Sequence, residues 1–452
     1  MRLRHALLSS PLFLLACTAP AAAQHKFFFK DGDVVVVMGD SITEQRLYSN
    51  YLETWTITRF PSWKLTFRNV GIGGDTAGGG NGRFKRDVLD HSATALTVDF
   101  GMNDAGYRWV GKKYTQKIKE KVDDQFVEKT VEKTVTASDI DNVLEGYKKN
   151  QQAIADQAKA AKIRVAWVTP QPIERGEPGP QLVEYNLTLE KYSAGVGEIA
   201  KKNDGHFCDQ FHPYLAVIEK ARATDPKIRI TGGDAVHPGP PGQALMAASI
   251  LKAMNFPREV ASVSIDVSAS SGPKATNCKI MSYRHEDGVI KLTRVDNALP
   301  FFPEDAKSIL KWAPLLDDMN HYGLTVKGLK PGKYDIRLGG KAVAEHTADE
   351  LAKGVNLAEA ALKAGPVSEQ VRTAWKAVQA KTDYFRDNIF RGVQLAGDKN
   401  PIFKDVAPKD LEEKRKTLYA ERILNMAKYD LAIRDALVMR PYEMEIVPAG
   451  TK

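Results

Sequence analysis

An α/β fold, a three-layer α/β/α sandwich on a parallel sheet, is predicted for the first part of this 452-residue chain, followed by a small antiparallel β domain and C-terminal helices. Two observations carry that prediction. Short apolar runs alternate with longer amphipathic stretches up to about Met254, and parallel strands need such crossover helices. Near Pro257 the texture changes to period-two alternation punctuated by turn residues. The length exceeds what one hydrophobic core usually supports, so two or three domains are expected.

In chain order, residues 1–23 read as a targeting segment: a basic start (Met1-Arg2-Leu3-Arg4-His5), a short apolar run and small residues Ala21-Ala22-Ala23 for cleavage. The apolar run is too short to span a bilayer, so no transmembrane segment is expected. A rival reading takes Leu14-Leu15-Ala16-Cys17 as a lipoprotein-type box with Cys17 as the anchor. Either way the mature protein is expected to be exported, to a periplasmic or extracellular space. Cleavage after Ala23 leaves Cys208 and Cys278, which could pair in an oxidising compartment or stay separate thiols.

Residues 24–257 make the α/β domain. Runs 34–38, 65–70, 95–100 and 163–169 are rich in branched residues and read as strands, and 44–59, 83–91, 140–161 and 183–202 carry helical spacing. A charged insertion, 112–136, interrupts this pattern. Tyr114, Ile118, Val122 and Phe126 recur every four residues, which suits a helix, while a strand pair turning at Asp123-Asp124 suits the same stretch. It is either a lid or a solvated surface insertion. Residues 258–346 form the β domain, with turns at Asp287-Gly288, Pro331-Gly332 and Gly339-Gly340. In the helical region 347–452, stretches 369–388 and 410–438 have long 3.6-residue periods and are expected to pack on each other or on the first domain. Nothing in them suggests chemistry.

Composition limits the partners. With 43% apolar and 27% charged residues the chain is ordinary for a soluble protein. The formal charge of +8 comes from lysines interleaved with acids, which describes solvated faces; no nucleic-acid partner is expected.

Four stretches could carry chemistry. Gly39-Asp40-Ser41 ends the first strand, Asn69 begins NVGIGGDTAGGG after the second, Phe100 begins FGMNDAG after the third, and GGDAVHPGPPG spans 232–242 before a helix. In an open parallel sheet, ligands bind beyond the carboxyl ends of the strands, where the first three stretches fall. A serine hydroxyl needs an adjacent base that is itself oriented by a third group. Asp234 and His237, three residues apart, can share one side of a tight turn, with the second imidazole nitrogen left for Ser41. A tetrahedral oxyanion needs donors already in place: the backbone N–H groups of Ser41 and Gly74 and the side-chain amide of Asn103.

These blocks, Gly39-Asp40-Ser41, Gly74, Gly101-Met102-Asn103-Asp104 and Asp234-Ala235-Val236-His237, resemble the four signature blocks of the SGNH (GDSL-type) hydrolases in order and spacing. The resemblance covers about Asp33 to Met254. It implies a flavodoxin-like sheet, Ser-His-Asp catalysis with no cofactor or metal, and hydrolysis of esters or related acyl groups. Carried over by position, Ser41 is the nucleophile, His237 the base and Asp234 its orienter, with Ser41, Gly74 and Asn103 as the oxyanion hole. The chain departs from the family pattern in its long insertion after Asn103 and in everything beyond Met254. It has no GxSxG elbow at Ser41.

Other conspicuous residues have plainer readings. Asp40 and Asp75 read as turn-stabilising acids and Asp104 as a brace for the Asn103 loop. His91, His206 and His212 lack a partner pattern, and the spacing of His206, Cys208, Asp209 and His212 fits no standard metal set. The glycines from 78 to 82 lack the Lys-Ser/Thr of a phosphate loop. Asn186-Leu187-Thr188 is a glycosylation sequon only in a eukaryotic secretory system. The expected function is an exported serine esterase acting on short acyl groups of a small-molecule or polysaccharide ester. The alternatives are a lipase or thioesterase, and a non-catalytic surface or binding protein on a hydrolase fold.

Overall fold

Val34–Gly39 (β1) is a run of four valines and a methionine, buried almost throughout, as a strand covered on both faces must be. It pairs in parallel with Thr66–Asn69 (β2) on one side and Ala95–Asp99 (β3) on the other. A separate two-stranded hairpin follows, Lys113–Val122 (β4) and Gln125–Thr134 (β5). Arg164–Val168 (β6) then extends the sheet beside β3, and His206–Cys208 (β7) closes it. The parallel order is β2-β1-β3-β6-β7, the flavodoxin-like arrangement. Its switch point lies between β1 and β3, whose carboxyl ends deliver Ser41 and Asn103. The computed structural model describes residues 27–122, 125–174 and 180–450. The targeting segment, its cleavage site at Ala23 and Cys17 lie outside them, as do Asp123 and Asp124.

Strand β7 was not predicted, because three residues are too few to show a period. Among the crossover helices, Leu47–Arg59 packs with Pro240–Ala253, and Ala137–Ala160 with Pro180–Lys202. The predicted 44–59 helix is two pieces, Ser41–Glu44 and Leu47–Arg59, broken where Arg46 takes a left-handed φ of 68°. From Tyr48 to Arg59 every residue of the second piece is buried, because later parts of the chain cover the side that the sheet leaves open.

The 112–136 insertion is the strand pair, not the helix. Tyr114, Ile118 and Val122 are four apart, and four is also a multiple of two, so the spacing fits one face of a strand equally well. Lys117–Glu128 (2.9 Å) and Lys129–Glu120 (3.4 Å) lie across it, and Phe126 is 72% exposed.

Beyond the parallel sheet, Glu259–Asp266 (β8), Lys274–Thr276 (β9), Cys278–Glu286 (β10), Val289–Asp296 (β11), His321–Lys327 (β12), Lys333–Leu338 (β13), Lys341–Thr347 (β14), Val355–Asn356 (β15) and Tyr442–Pro448 (β16) build two sheets. One, ordered β10-β11-β16-β13-β14, is antiparallel throughout. The other, β15-β12-β8-β9, contains one parallel pair, β8 with β12. Asp287-Gly288 and Gly339-Gly340 turn the two predicted hairpins, all four with positive φ as a primed turn requires. Pro331-Gly332 instead links strands of different sheets. The C-terminal region is also less uniformly helical than predicted, since its last strand is the middle strand of the antiparallel sheet.

The helices Pro366–Tyr384 (continuing as Phe385–Gln394), Leu411–Leu424 and Met426–Ala436 pack both on each other and on the first domain. Trp375 lies 5.4 Å from Tyr51, ring to ring, and Lys381 pairs with Glu53 in full burial. Cys208 and Cys278 are both free thiols. Among the described residues no helix is long and apolar enough to cross a membrane.

Candidate active site

Strand β1 ends at Gly39, and Asp40 caps the one-turn helix that follows by accepting the Ile42 N–H at 3.0 Å. That cap places Ser41 first in the helix, at the rim of the sheet. Its Oγ lies 2.8 Å from Nε2 of His237, 196 positions away in sequence. The other ring nitrogen, Nδ1, lies 3.0 Å from Oδ2 of Asp234. With Nδ1–H donating to the carboxylate, Nε2 is left to accept the serine proton. Ser41, Asp234 and His237 are thus brought together in series.

The loop that carries the imidazole is held from several sides. Asp234 accepts the backbone N–H groups of Val236 and His237 through Oδ1, both at 2.7 Å. Its own N–H returns to the carbonyl of His237. So tight a turn needs Gly233 at φ 65°, where a β-carbon would meet the His237 carbonyl at 2.0 Å. Buried Glu174 accepts N–H groups from Ile230 and Thr231, and Gln171 donates to the Val236 carbonyl at 3.1 Å. Gln243 donates to the Pro238 carbonyl. Partial burial raises the Asp234 carboxyl, but hydrogen bonds from the His237 and Val236 amides outweigh it and hold the group below its usual range. The acid therefore stays ionised beside the imidazole, although its side chain is 66% exposed.

Gly74 sits in a tight turn closed by the Asp75 N–H on the Ile72 carbonyl, with φ 75°. A β-carbon there would touch nothing within 4 Å, so backbone conformation rather than space selects glycine. Asn103 behaves differently from a free donor. Its amide reaches the Asp75 carbonyl at 2.9 Å and Oδ2 of Asp40 at 3.3 Å, tying the loops after β1, β2 and β3 together.

The acids read from sequence as turn supports act as supports. Asp75 pairs with Arg83, which also reaches Asp87 and the carbonyls of Gly39 and Val70. Asp104 accepts the Ala77 N–H. Burial pushes the carboxyls of Asp40 and Asp104 up to about 7, and burial together with the nearby Asp40 charge also raises that of Asp99. Tyr107 borders the site from the Asn103 loop. It stacks on Tyr185 with ring centroids 5.2 Å apart, and burial together with the Asp40 and Asp234 charges raises its phenol.

The remaining singled-out residues lie away from this cluster. His206 bonds the Ala253 carbonyl, His212 pairs with Asp209, and buried His91 meets the Tyr419 hydroxyl. Among the described residues no group of three or more His, Cys, Asp or Glu could hold a metal. Asn186 is buried with its amide committed to Ile173, which leaves no free sequon nitrogen. Sequence reasoning missed Glu174, Gln171 and Arg83, whose partners lie on distant loops and leave no local pattern.

Comparison with known proteins agrees with the geometry. Residues 37–245 match the model of the GDSL-like lipase/acylhydrolase family. No curated protein matches the sequence significantly. Among solved structures, a gut microbial diltiazem-metabolizing enzyme, BT4096, is similar over 94% of this chain and 99% of its own, at 23% identity and a TM-score of 0.74. At that identity the likeness speaks to the fold, including the sheets and helices beyond residue 254. An acetylxylan esterase from Geobacillus stearothermophilus, Axe2, covers 50% of this chain and 96% of its own, at 19% identity and a TM-score of 0.38. Residues 37–245, which carry Ser41 at the rim of the sheet, are therefore an acylhydrolase domain of the GDSL-like (SGNH) lipase/acylhydrolase family, and the protein is a carboxylic ester hydrolase.

Proposed function

We propose that the protein is an exported serine esterase that removes short, acetyl-type acyl groups from a carbohydrate or similarly polar alcohol. The observation that carries the mechanism is the Ser41–His237–Asp234 series, 2.8 and 3.0 Å between successive partners. In this reading His237 Nε2 takes the Ser41 proton as Oγ attacks the ester carbonyl. Negative charge on the carbonyl oxygen is met by the N–H groups of Ser41 and Gly74 and the amide of Asn103. When the tetrahedral intermediate collapses, the C–O bond to the alcohol breaks, and His237 returns the proton to the leaving oxygen. Water then repeats the sequence against the acyl-serine, releasing the acid and restoring Ser41.

The polar surroundings support a polar alcohol and a short acyl chain. Glu44 and the half-exposed Asp234–His237 pair lie beside Ser41, with Tyr107 close to Asp40 and Asp234, and no long apolar run flanks the motif blocks in sequence. Aryl acetate hydrolysis by the purified protein, compared with longer acyl chains and with acetylated oligosaccharides, tests the reading. Ser41→Ala and His237→Ala should each lower kcat by about 10⁴-fold or more, and Asn103→Ala by about 10²–10³-fold. Undiminished hydrolysis by Ser41→Ala would end the proposal, and a preference for long acyl chains would replace its substrate half.

A further inference from the structure

Two glycines, Gly73 and Gly74, form the middle of the turn after β2, and the peptide between them carries the Gly74 N–H. Such a turn has no side chain to restrain it, so the direction of that N–H must be fixed from outside. Glu44 supplies the restraint. It is the last residue of the helix that Ser41 begins, and its Oε2 accepts the Gly73 N–H at 2.6 Å. A β-carbon on Gly73 would lie 2.9 Å from that oxygen and 4.0 Å from the Ser41 β-carbon, so the contact sits beside the nucleophile. The second carboxylate oxygen, Oε1, is taken by the guanidinium of Arg391.

Arg391 belongs to Phe385–Gln394, far outside the family-matched segment. Its backbone is firmly seated. Phe385, Ile389, Phe390 and Val393 are buried, and Gln394 donates to the Arg86 carbonyl at 3.2 Å. A second pair, Asp383 with Arg46, joins the same two regions about two turns away. The Glu44 side chain is 19% exposed and that of Arg391 44%. The charged contact therefore lies at the surface edge of the site rather than in the core.

We infer that Arg391 and Glu44 are a positioning pair, through which the C-terminal helices hold the Gly73-Gly74 turn in the orientation that accepts the oxyanion. The inference rests on the esterase reading above and adds a function for a region in which the sequence shows no chemistry. Arg391 fixes the Glu44 carboxylate, Glu44 fixes the Gly73 amide, and with it the adjoining peptide that carries the Gly74 N–H.

Steady-state hydrolysis of an aryl acetate, run in parallel on wild type, Ser41→Ala, Arg391→Ala, Arg391→Lys, Glu44→Ala and the Glu44→Ala/Arg391→Ala double variant, tests this, with thermal melts to establish folding. Arg391→Ala should lower kcat about tenfold with KM nearly unchanged, short of the 10²–10³-fold cost of losing a donor outright. Arg391→Lys should restore part of the loss, and the double variant should be no worse than Glu44→Ala. Unchanged kinetics in Arg391→Ala, with Ser41→Ala inactive, would overturn the inference and leave the serine-esterase reading standing. So would a raised KM at constant kcat that adds to the Glu44→Ala effect, since Arg391 would then be touching substrate directly. Undiminished activity in Ser41→Ala would remove both.

Discussion

The β4–β5 hairpin and the C-terminal helices exchange the places that the sequence suggests for them. The hairpin lies inside the family-matched segment, ten residues beyond Asn103, yet it projects with both faces in solvent. The helices begin more than a hundred residues past the last motif, yet they cover the buried helix that follows Ser41. Nearness in sequence to catalytic residues is therefore no guide to mechanical coupling with them. Coupling follows buried contact, and only tertiary structure reveals where that falls.

The largest expected effect comes from the Lys381–Glu53 pair, whose side chains are 0% and 2% exposed. Burial raises the Glu53 carboxyl while the Lys381 ammonium draws it back down. Lys381→Met leaves that carboxylate unpaired in the interior and should cost about 3–5 kcal/mol by denaturant titration. Adding Glu53→Leu should recover most of the loss, because two apolar groups can replace a buried pair. A loss below about 1 kcal/mol in the single variant would mean that the helices are loosely attached, and the comparison would fail.

An intermediate effect is expected at Asp104, in the loop between β3 and the hairpin, whose carboxylate accepts the Ala77 N–H. Its folded-state carboxyl sits at about 7, above the ordinary value of 3.8, so the folded protein binds a proton that the unfolded chain releases. Stability from this group is complete at acid pH and is lost as pH rises through 7. Asp104→Asn should flatten that part of the stability–pH curve by on the order of 1–2 kcal/mol between pH 4 and 8. Asp40, Asp99 and Glu53, raised by burial as well, keep slopes of their own. An unchanged curve would show that solvent already reaches the Asp104 carboxyl.

The smallest effect belongs to the hairpin itself. Lys117 and Glu128 are 71% and 55% exposed, and a screened pair of that kind contributes little. Lys117→Glu should shift stability by less than about 0.5 kcal/mol. A larger loss would mean that the hairpin is held by contacts the isolated chain does not display.

The parallel sheet and the site were legible because both are written locally. Four valines read as a buried strand, and the order of Ser41, Asn103 and His237 falls on loops whose convergence follows from parallel topology. Asp234 and His237 meet across three residues, a distance any sequence displays. The supports were not legible. Glu174 meets Thr231 across 57 positions and Arg391 meets Glu44 across 347, and no spacing rule spans such gaps. The 112–136 segment stayed open between helix and strand pair for another reason: an apolar period of four is shared by both.

The middle position of β16 has a kinetic consequence. The hairpins β10–β11 and β13–β14 can each zip up from a local turn, but neither finds its sheet neighbour until residues 442–448 arrive to bridge them. Joining Leu292 to Met444 closes a loop of about 150 residues, a slow step on entropic grounds. Until that closure the two half-sheets carry unpaired edges, and these are the surfaces on which a refolding chain would mispair or aggregate.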